Sequence, residues 1–225
     1  LAPALQNYLD FLKSLNPQFA QSGEAAHLRI YPGSPFIEQR FLSGRDKLKL
    51  FELHPTDFKS LTGNIEQLGV GRQVAVARED GFEALKALLP PPLSSSGSRR
   101  ACVLLDPSYE LKSDYARVLD SVQDSLKRFA TGTYLVWYPV IPRTEAHDLP
   151  RKLKLLCQPI KKPWLNATFA IGRATGGDDN GLSASGMFVV NPPHTLKGQL
   201  QAALPELEQI LGRGPGQGFV VESGG

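Results

Sequence analysis

Asp106-Pro107-Ser108-Tyr109 stands directly behind the apolar run Ala101-Cys102-Val103-Leu104-Leu105. These residue types, in this order, suit one kind of chemistry. A carboxylate and the adjacent proline carbonyl can accept both hydrogens of an exocyclic amine, while the aromatic ring stacks on the base that carries it. The lone pair of such an amine is delocalised into its ring, so the nitrogen is a poor nucleophile. Two hydrogen bonds favour a more tetrahedral nitrogen, able to attack a sulfonium methyl group in line. This is catalysis by positioning and electrostatics, without a covalent protein intermediate. It fits methyl transfer to an adenine or cytosine nitrogen. The usual motif has a second proline where this chain has Ser108. Without its neighbours, Asp106-Pro107 equally reads as a turn, because Asp-Pro initiates turns.

Two more acidic residues close strand-like runs. Glu52 follows Lys47-Leu48-Lys49-Leu50-Phe51, where it could accept both ribose hydroxyls of a nucleoside cofactor. It also reads as a solvated carboxylate at a strand end. Asp80, in Glu79-Asp80-Gly81-Phe82, could accept from an adenine amino group with Phe82 packed on the ring. It also reads as a helix N-cap. Arg151, Lys152, Lys154, Lys161 and Lys162 form a loose basic cluster, with Lys112, Lys127, Arg128 and Arg143 near it in sequence. Such charges make either a solvated face or a phosphate-contacting one. The sequence has no Ser-His-Asp arrangement, P-loop or zinc signature, and His27, His54, His147 and His194 lack metal-ligand spacing, so no metal is expected.

The elements that must position these residues are legible from periodicity. Helical spacing predicts helices over 3–16, 56–68, 80–89, 113–129, 144–157 and 196–211. A short helix is expected after Tyr31-Pro32-Gly33-Ser34-Pro35, with Ser34 as N-cap and Pro35 at the first helical position. Strands are expected at 47–53, 73–77, 101–105, 132–138, 164–172, 187–190 and 218–221, and a surface loop over 90–100. The continuous apolar run 101–105 predicts a strand covered on both faces. Alternating strands and helices predict an α/β sheet with helices on both faces, with chemistry beyond the carboxyl ends of the strands.

Composition sets the outer bounds. A chain of 225 residues can bury one sizeable core, with room for a small subdomain. Net charge +3 permits a nucleic-acid partner without demanding one. No apolar run approaches the ~20 residues of a membrane span, and no signal peptide is visible, so a cytoplasmic protein is expected. Cys102 and Cys157, both in apolar surroundings, are expected to be reduced core residues rather than a disulfide. The start at Leu1 suggests a fragment or a processed product.

In order along the chain come Tyr31-Pro32-Gly33-Ser34-Pro35, Glu52-Leu53-His54-Pro55, Asp80-Gly81-Phe82, Asp106-Pro107-Ser108-Tyr109-Glu110, Lys127-Arg128-Phe129-Ala130-Thr131-Gly132, Trp137-Tyr138-Pro139, Ala184-Ser185-Gly186-Met187 and Asn191-Pro192-Pro193. Together they resemble the RlmJ family of large-subunit ribosomal RNA adenine-N6 methyltransferases over about residues 28–205. The resemblance implies a Rossmann-like methyltransferase fold, S-adenosylmethionine as cofactor, 23S ribosomal RNA as partner, no membrane and a monomer. It assigns the target adenine to Asp106, Pro107 and Tyr109, the cofactor ribose to Glu52, the cofactor adenine to Asp80 and Phe82, and a weaker cofactor role to Ser34. Residues 1–30 are expected to be the tail of a small helical subdomain, and 31–225 a partial methyltransferase domain.

Two departures from the family stand out. Ser108 replaces a proline, and the first sheet strand with its Gly-rich cofactor loop is not found. In this topology that strand lies between the second and fourth, so those two are expected to lack a shared neighbour. Other readings are a non-catalytic nucleic-acid-binding relative, and a DNA adenine methyltransferase or a protein involved in the use of external DNA.

Overall fold

A computed structural model describes residues 1–17, 28–94, 97, 99–173 and 181–225. Residues 18–27 of the expected N-terminal tail, His27 among them, and parts of the expected loop over 90–100 lie outside the described residues. The chain forms two compact units, one of Leu1–Leu5 with Leu88–Gly225 and the other of Gln6–Ala87.

The unit of Gln6–Ala87 carries most of α1 (Pro3–Leu15), then α2 (Ser34–Phe41), β1 (Leu48–Phe51), α3 (Pro55–Gln67), β2 (Val74–Ala77) and most of α4 (Gly81–Leu88). β1 and β2 form a two-stranded parallel sheet in the register Leu48↔Val74 to Phe51↔Ala77. Its core is small: Leu50, Ile65 and Val74 are buried, with Leu48, Leu61, Val70 and Val76 packed around them. Ile65 comes from the face of α3 that also carries Leu61, a spacing of one helical turn. Asn16, fully buried just after α1, accepts from the Arg29 and Ile30 amides at 3.0 and 2.9 Å and donates to the Leu12 and Ile30 carbonyls. It thereby ties the segment at 29–30 to the helix end.

The other unit carries β3 (Cys102–Leu105), α5 (Lys112–Arg128), β4 (Thr133–Pro139), α6 (Thr144–Cys157), β5 (Trp164–Ile171), β6 (Ala184–Val190), α7 (Leu196–Leu211) and β7 (Gln217–Gly224). The sheet order is β3-β4-β6-β5-β7. β3 and β4 are parallel, whereas β6 is antiparallel to both β4 and β5, and β7 is antiparallel to β5. Consecutive residues are buried at Leu165-Asn166-Ala167 and Phe188-Val189-Val190, as required of strands covered on both faces. On α5, Tyr115, Val118, Val122 and Leu126 recur at three and four residues and are all buried. Ala146, Leu149, Leu153 and Cys157 do the same on α6, which packs against α5, β5 and β6. The Cys157 thiol, enclosed in this core, is pushed up to about 11 by burial.

The chain is therefore a mixed α/β protein with sheets flanked by helices. Among the described residues β1 pairs with β2 alone and β3 with β4 alone, so the strands behind Glu52 and Asp106 share no neighbour. Two local expectations are corrected. Cys102 is exposed rather than buried, and Val103 and Leu104 are only half-buried. β3 is an edge strand of its sheet, so one flank lacks the neighbour that an apolar run would normally have. The N-cap of α2 is Gly33 rather than Ser34: the Gly33 carbonyl takes the Phe36 and Ile37 amides, and no side chain caps the helix. Pro35 fits the first turn because a proline there lacks only an amide that would have had no helical partner.

Candidate active site

The Asp106-Pro107-Ser108-Tyr109 loop leaves the carboxyl end of β3 and leads to α5. Asp106 projects to solvent, yet the surrounding protein desolvates its carboxyl enough to raise it above the usual carboxylate range. Among the described residues no hydrogen bond or ion pair offsets that rise. An acceptor of this kind is available to a ligand amine and is strengthened by its partial removal from water. Pro107 is half-buried and Ser108 exposed.

Tyr109 turns inward. Its side chain is 3% exposed, and its ring packs 4.7 Å from that of Tyr115 and 6.2 Å from that of Trp137. Its hydroxyl donates to the Trp137 carbonyl, on the neighbouring parallel strand β4. Burial pushes the phenol strongly up, and the nearby Asp106 charge adds to the rise. The backbone at Tyr109 has φ +55°, a region that non-glycine residues rarely occupy. An aromatic held there needs support from its surroundings. The Tyr109 carbonyl accepts from Arg143 Nη1 at 2.8 Å, and the Glu110 carbonyl lies 3.5 Å from the same nitrogen.

In the unit of Gln6–Ala87, Glu52 and Asp80 both lie just beyond the carboxyl ends of adjacent parallel strands. The Glu52 amide continues the ladder by donating to the Ala77 carbonyl at 3.2 Å. Glu52 Oε1 accepts the His54 amide at 2.7 Å, where the chain enters α3. Asp80 Oδ1 accepts the Phe82 amide at 3.0 Å, so Asp80 caps α4. Each carboxylate thus organises the turn into its own helix and remains at the strand-end position where a nucleoside is bound in such sheets. Gly81 lies close against Phe51, where a Cβ would meet the Phe51 Cβ at 3.3 Å. These residues fit a nucleoside cofactor: two carboxylate acceptors for hydroxyl and amine hydrogens, and a half-buried aromatic, Phe82, at the start of α4. Ser34 opens α2, which packs against β1.

The structure gathers Asp106, Pro107 and Tyr109 on one loop, and Glu52, Asp80 and Phe82 on two adjacent strand ends. Sequence reasoning misses the residues that hold the first group. Arg143 reads from sequence as part of a basic cluster, but its guanidinium meets the motif loop. The available signal is its place in the loop after β4, the parallel partner of β3, since loops behind adjacent parallel strands converge. Much of the remaining cluster is neutralised locally. Arg128 pairs with Asp124, Arg151 with Asp148, Lys154 with Glu222 and Lys112 with Glu145. Gly186, in the stretch Ala184-Ser185-Gly186-Met187, is a second supporting residue, whose packing role the sequence does not show. It faces Tyr138 in the β4–β6 register, and any Cβ there would overlap the Tyr138 ring. Tyr138 in turn donates to Asn166 Oδ1 at 2.8 Å across the sheet. Among the described residues no group of three or more His, Cys, Asp or Glu is arranged to hold a metal ion, and no helix is long and apolar enough to cross a membrane.

Known proteins match this arrangement over nearly its whole length. The family model described as ribosomal RNA large subunit methyltransferase D, RlmJ, covers residues 1–221. Ribosomal RNA large subunit methyltransferase J of Escherichia coli K12 is 37% identical over 94% of the chain and 68% of its own length. The protein of the same name from Haemophilus influenzae is 38% identical over 92% of the chain and 67% of its own length. A crystal structure of a Legionella pneumophila protein superposes with a TM-score of 0.79 at 28% identity, covering all of this chain and 75% of that one. The chain therefore belongs to the RlmJ family of ribosomal RNA large subunit methyltransferases.

Proposed function

We propose that this protein methylates the N6 amine of an adenine in 23S ribosomal RNA, using S-adenosylmethionine. The observation that carries the reading is the Asp106 carboxylate: raised by desolvation, unopposed by any donor, and set on a fixed loop at the end of a parallel strand. The large-subunit RNA named for the curated relatives supports the substrate class.

When bound, the cofactor supplies an electrophilic methyl group. Glu52 would hold its ribose hydroxyls, Asp80 and Phe82 its adenine, with Ser34 a further contact on that side. Asp106 and the Pro107 carbonyl accept one amine hydrogen each, which fixes the nitrogen and directs its lone pair out of the ring plane. As the nitrogen acquires its methyl group it sheds one proton, and the Asp106 carboxylate is in position to take it. Tyr109 stacks on the target base in the substrate-bound state. From its inward position this requires the ring to leave Tyr115 and expose a face. The reading extends to a monomer acting in the cytoplasm, with residues 1–30 as the tail of a small helical subdomain and 31–225 as methyltransferase domain.

Transfer of labelled methyl groups tests the substrate. The full-length protein and S-adenosylmethionine are incubated with unmodified 23S ribosomal RNA or with duplex DNA, and the products are digested to nucleosides. Label is expected as N6-methyladenosine from the RNA. Label in the DNA alone would replace this reading with DNA methylation, and cofactor-independent RNA binding without transfer would leave a non-catalytic relative.

A further inference from the structure

We propose that Arg143 is a positioning residue for the amine-holding loop, taking over the stiffness that a second proline at position 108 would supply. The proposal rests on the role of Asp106 and Pro107 given above.

The loop is fixed at its upstream end by the β3–β4 ladder, which runs to Leu105↔Val136. Pro107 restricts its own φ. Ser108 has no such restriction, and its side chain is exposed. Tyr109, the next residue, is held firmly. Its carbonyl receives Arg143 Nη1 at 2.8 Å, a contact that does not depend on where its ring lies. Fixing the Tyr109 and Glu110 carbonyls closes the short span from Asp106 at its downstream end. Ser108 can then move little without breaking a charge-assisted hydrogen bond.

Arg143 is well placed for this work. Its own backbone is the start of α6, with its carbonyl taking the Ala146 and His147 amides at 3.1 and 3.3 Å and its amide donating to Ile141. The guanidinium is planar and can address two carbonyls from one fixed position. Glu145, the carboxylate that senses Arg143, is itself engaged by Lys112 Nζ at 3.3 Å. The Arg143 guanidinium addresses the loop carbonyls, and its charge reaches the Tyr115 hydroxyl, which makes no hydrogen bond among the described residues. A merely structural cation would matter to stability alone, whereas a positioning residue acts on the rate through the geometry of Asp106.

A double-mutant cycle on the full-length protein separates these roles, with labelled-methyl transfer to unmodified 23S ribosomal RNA as the assay. Arg143→Gln is expected to lower kcat about 30-fold, within the range for a misplaced reacting group, while the KM for S-adenosylmethionine stays within about 2-fold. In a Ser108→Pro background the same substitution is expected to cost under about 5-fold, because the stiffer loop no longer depends on the clamp. An undiminished kcat in Arg143→Gln, or an equal penalty in both backgrounds, overturns the proposal. If Arg143→Gln does not fold, Arg143→Lys enters the same cycle, with a smaller penalty that must likewise shrink in the Ser108→Pro background. Asp106→Ala is run in parallel. Retained turnover there overturns the site assignment and this inference with it, whereas loss of turnover in Asp106→Ala alone removes only the role of Arg143.

Discussion

The two regions that carry the candidate residues are built differently. Asp106 rises from the unit of the five-stranded sheet, where Val118 and Val122 of α5, Leu153 of α6, and Tyr134, Val136 and Phe188 of the sheet itself are essentially without solvent contact. Glu52 and Asp80 rise from two four-residue strands that pack on the cluster of Leu50, Ile65 and Val74. Among the described residues the base-holding carboxylate makes no hydrogen bond of its own, but the backbone of its loop is clamped from the start of α6. The cofactor-side carboxylates do the reverse, each spending an oxygen on a backbone amide two residues ahead. Chemistry that depends on direction is thus placed on the rigid frame. Binding of a diol and an amine, which tolerates small adjustments, is placed on turns that organise themselves.

Substitutions at the two ends should separate cleanly if this contrast is right. Asp106→Ala should lower kcat about 10³-fold, comparable to removing one preorganised transition-state contact, with cofactor affinity by calorimetry unchanged within a few-fold. Glu52→Ala should do the opposite, weakening the cofactor about 10-fold to 100-fold, as for loss of a charged hydrogen bond. An equal fall of kcat and affinity in both variants would erase the distinction between the two regions.

Rigidity itself can be probed at Gly186. Adding a methyl group forces the Tyr138 ring from its place and should destabilise the five-stranded unit by about 1–3 kcal/mol, seen as a lower denaturation midpoint. Native-state hydrogen exchange should show the β4 and β6 amides protected longer than those of β1 and β2, because slow exchange follows buried, contact-rich elements. Equal protection would mean that the small sheet is held as firmly as the large one.

The smallest effect concerns pH. Asp106 must be ionised to accept both an amine hydrogen and the departing proton. Because desolvation raises its pKa, its ionised fraction falls as pH drops through a value above the ordinary carboxylate range. The acid limb of kcat should therefore lie higher than that of a solvent-exposed carboxylate. A limb at the ordinary position would place Asp106 in open water during turnover.

Much of this is legible in the sequence because it is local. Hydrophobic spacing over 113–129 locates α5, Lys112–Arg128, to within one residue at each end, since a buried helical face must recur at three and four residues. The acidic residues at strand ends are legible because an apolar run followed by a carboxylate and a turn signals the edge of a core. The exposure of Cys102 is not legible, because an apolar run records what a strand is suited to and not whether a neighbour lies beside it. The role of Arg143 is hidden for a similar reason. Charge is visible in sequence, but its partner is a backbone carbonyl, which every residue has and no letter marks.

The elements, the motif and the family follow from residue types at short spacing. That Tyr109 is folded inward on Tyr115, that Trp137 and Arg143 meet it there, and that Gly186 makes room for Tyr138 follow from the folded arrangement. These contacts join residues 6 to 48 positions apart, and their existence depends on which strands lie side by side.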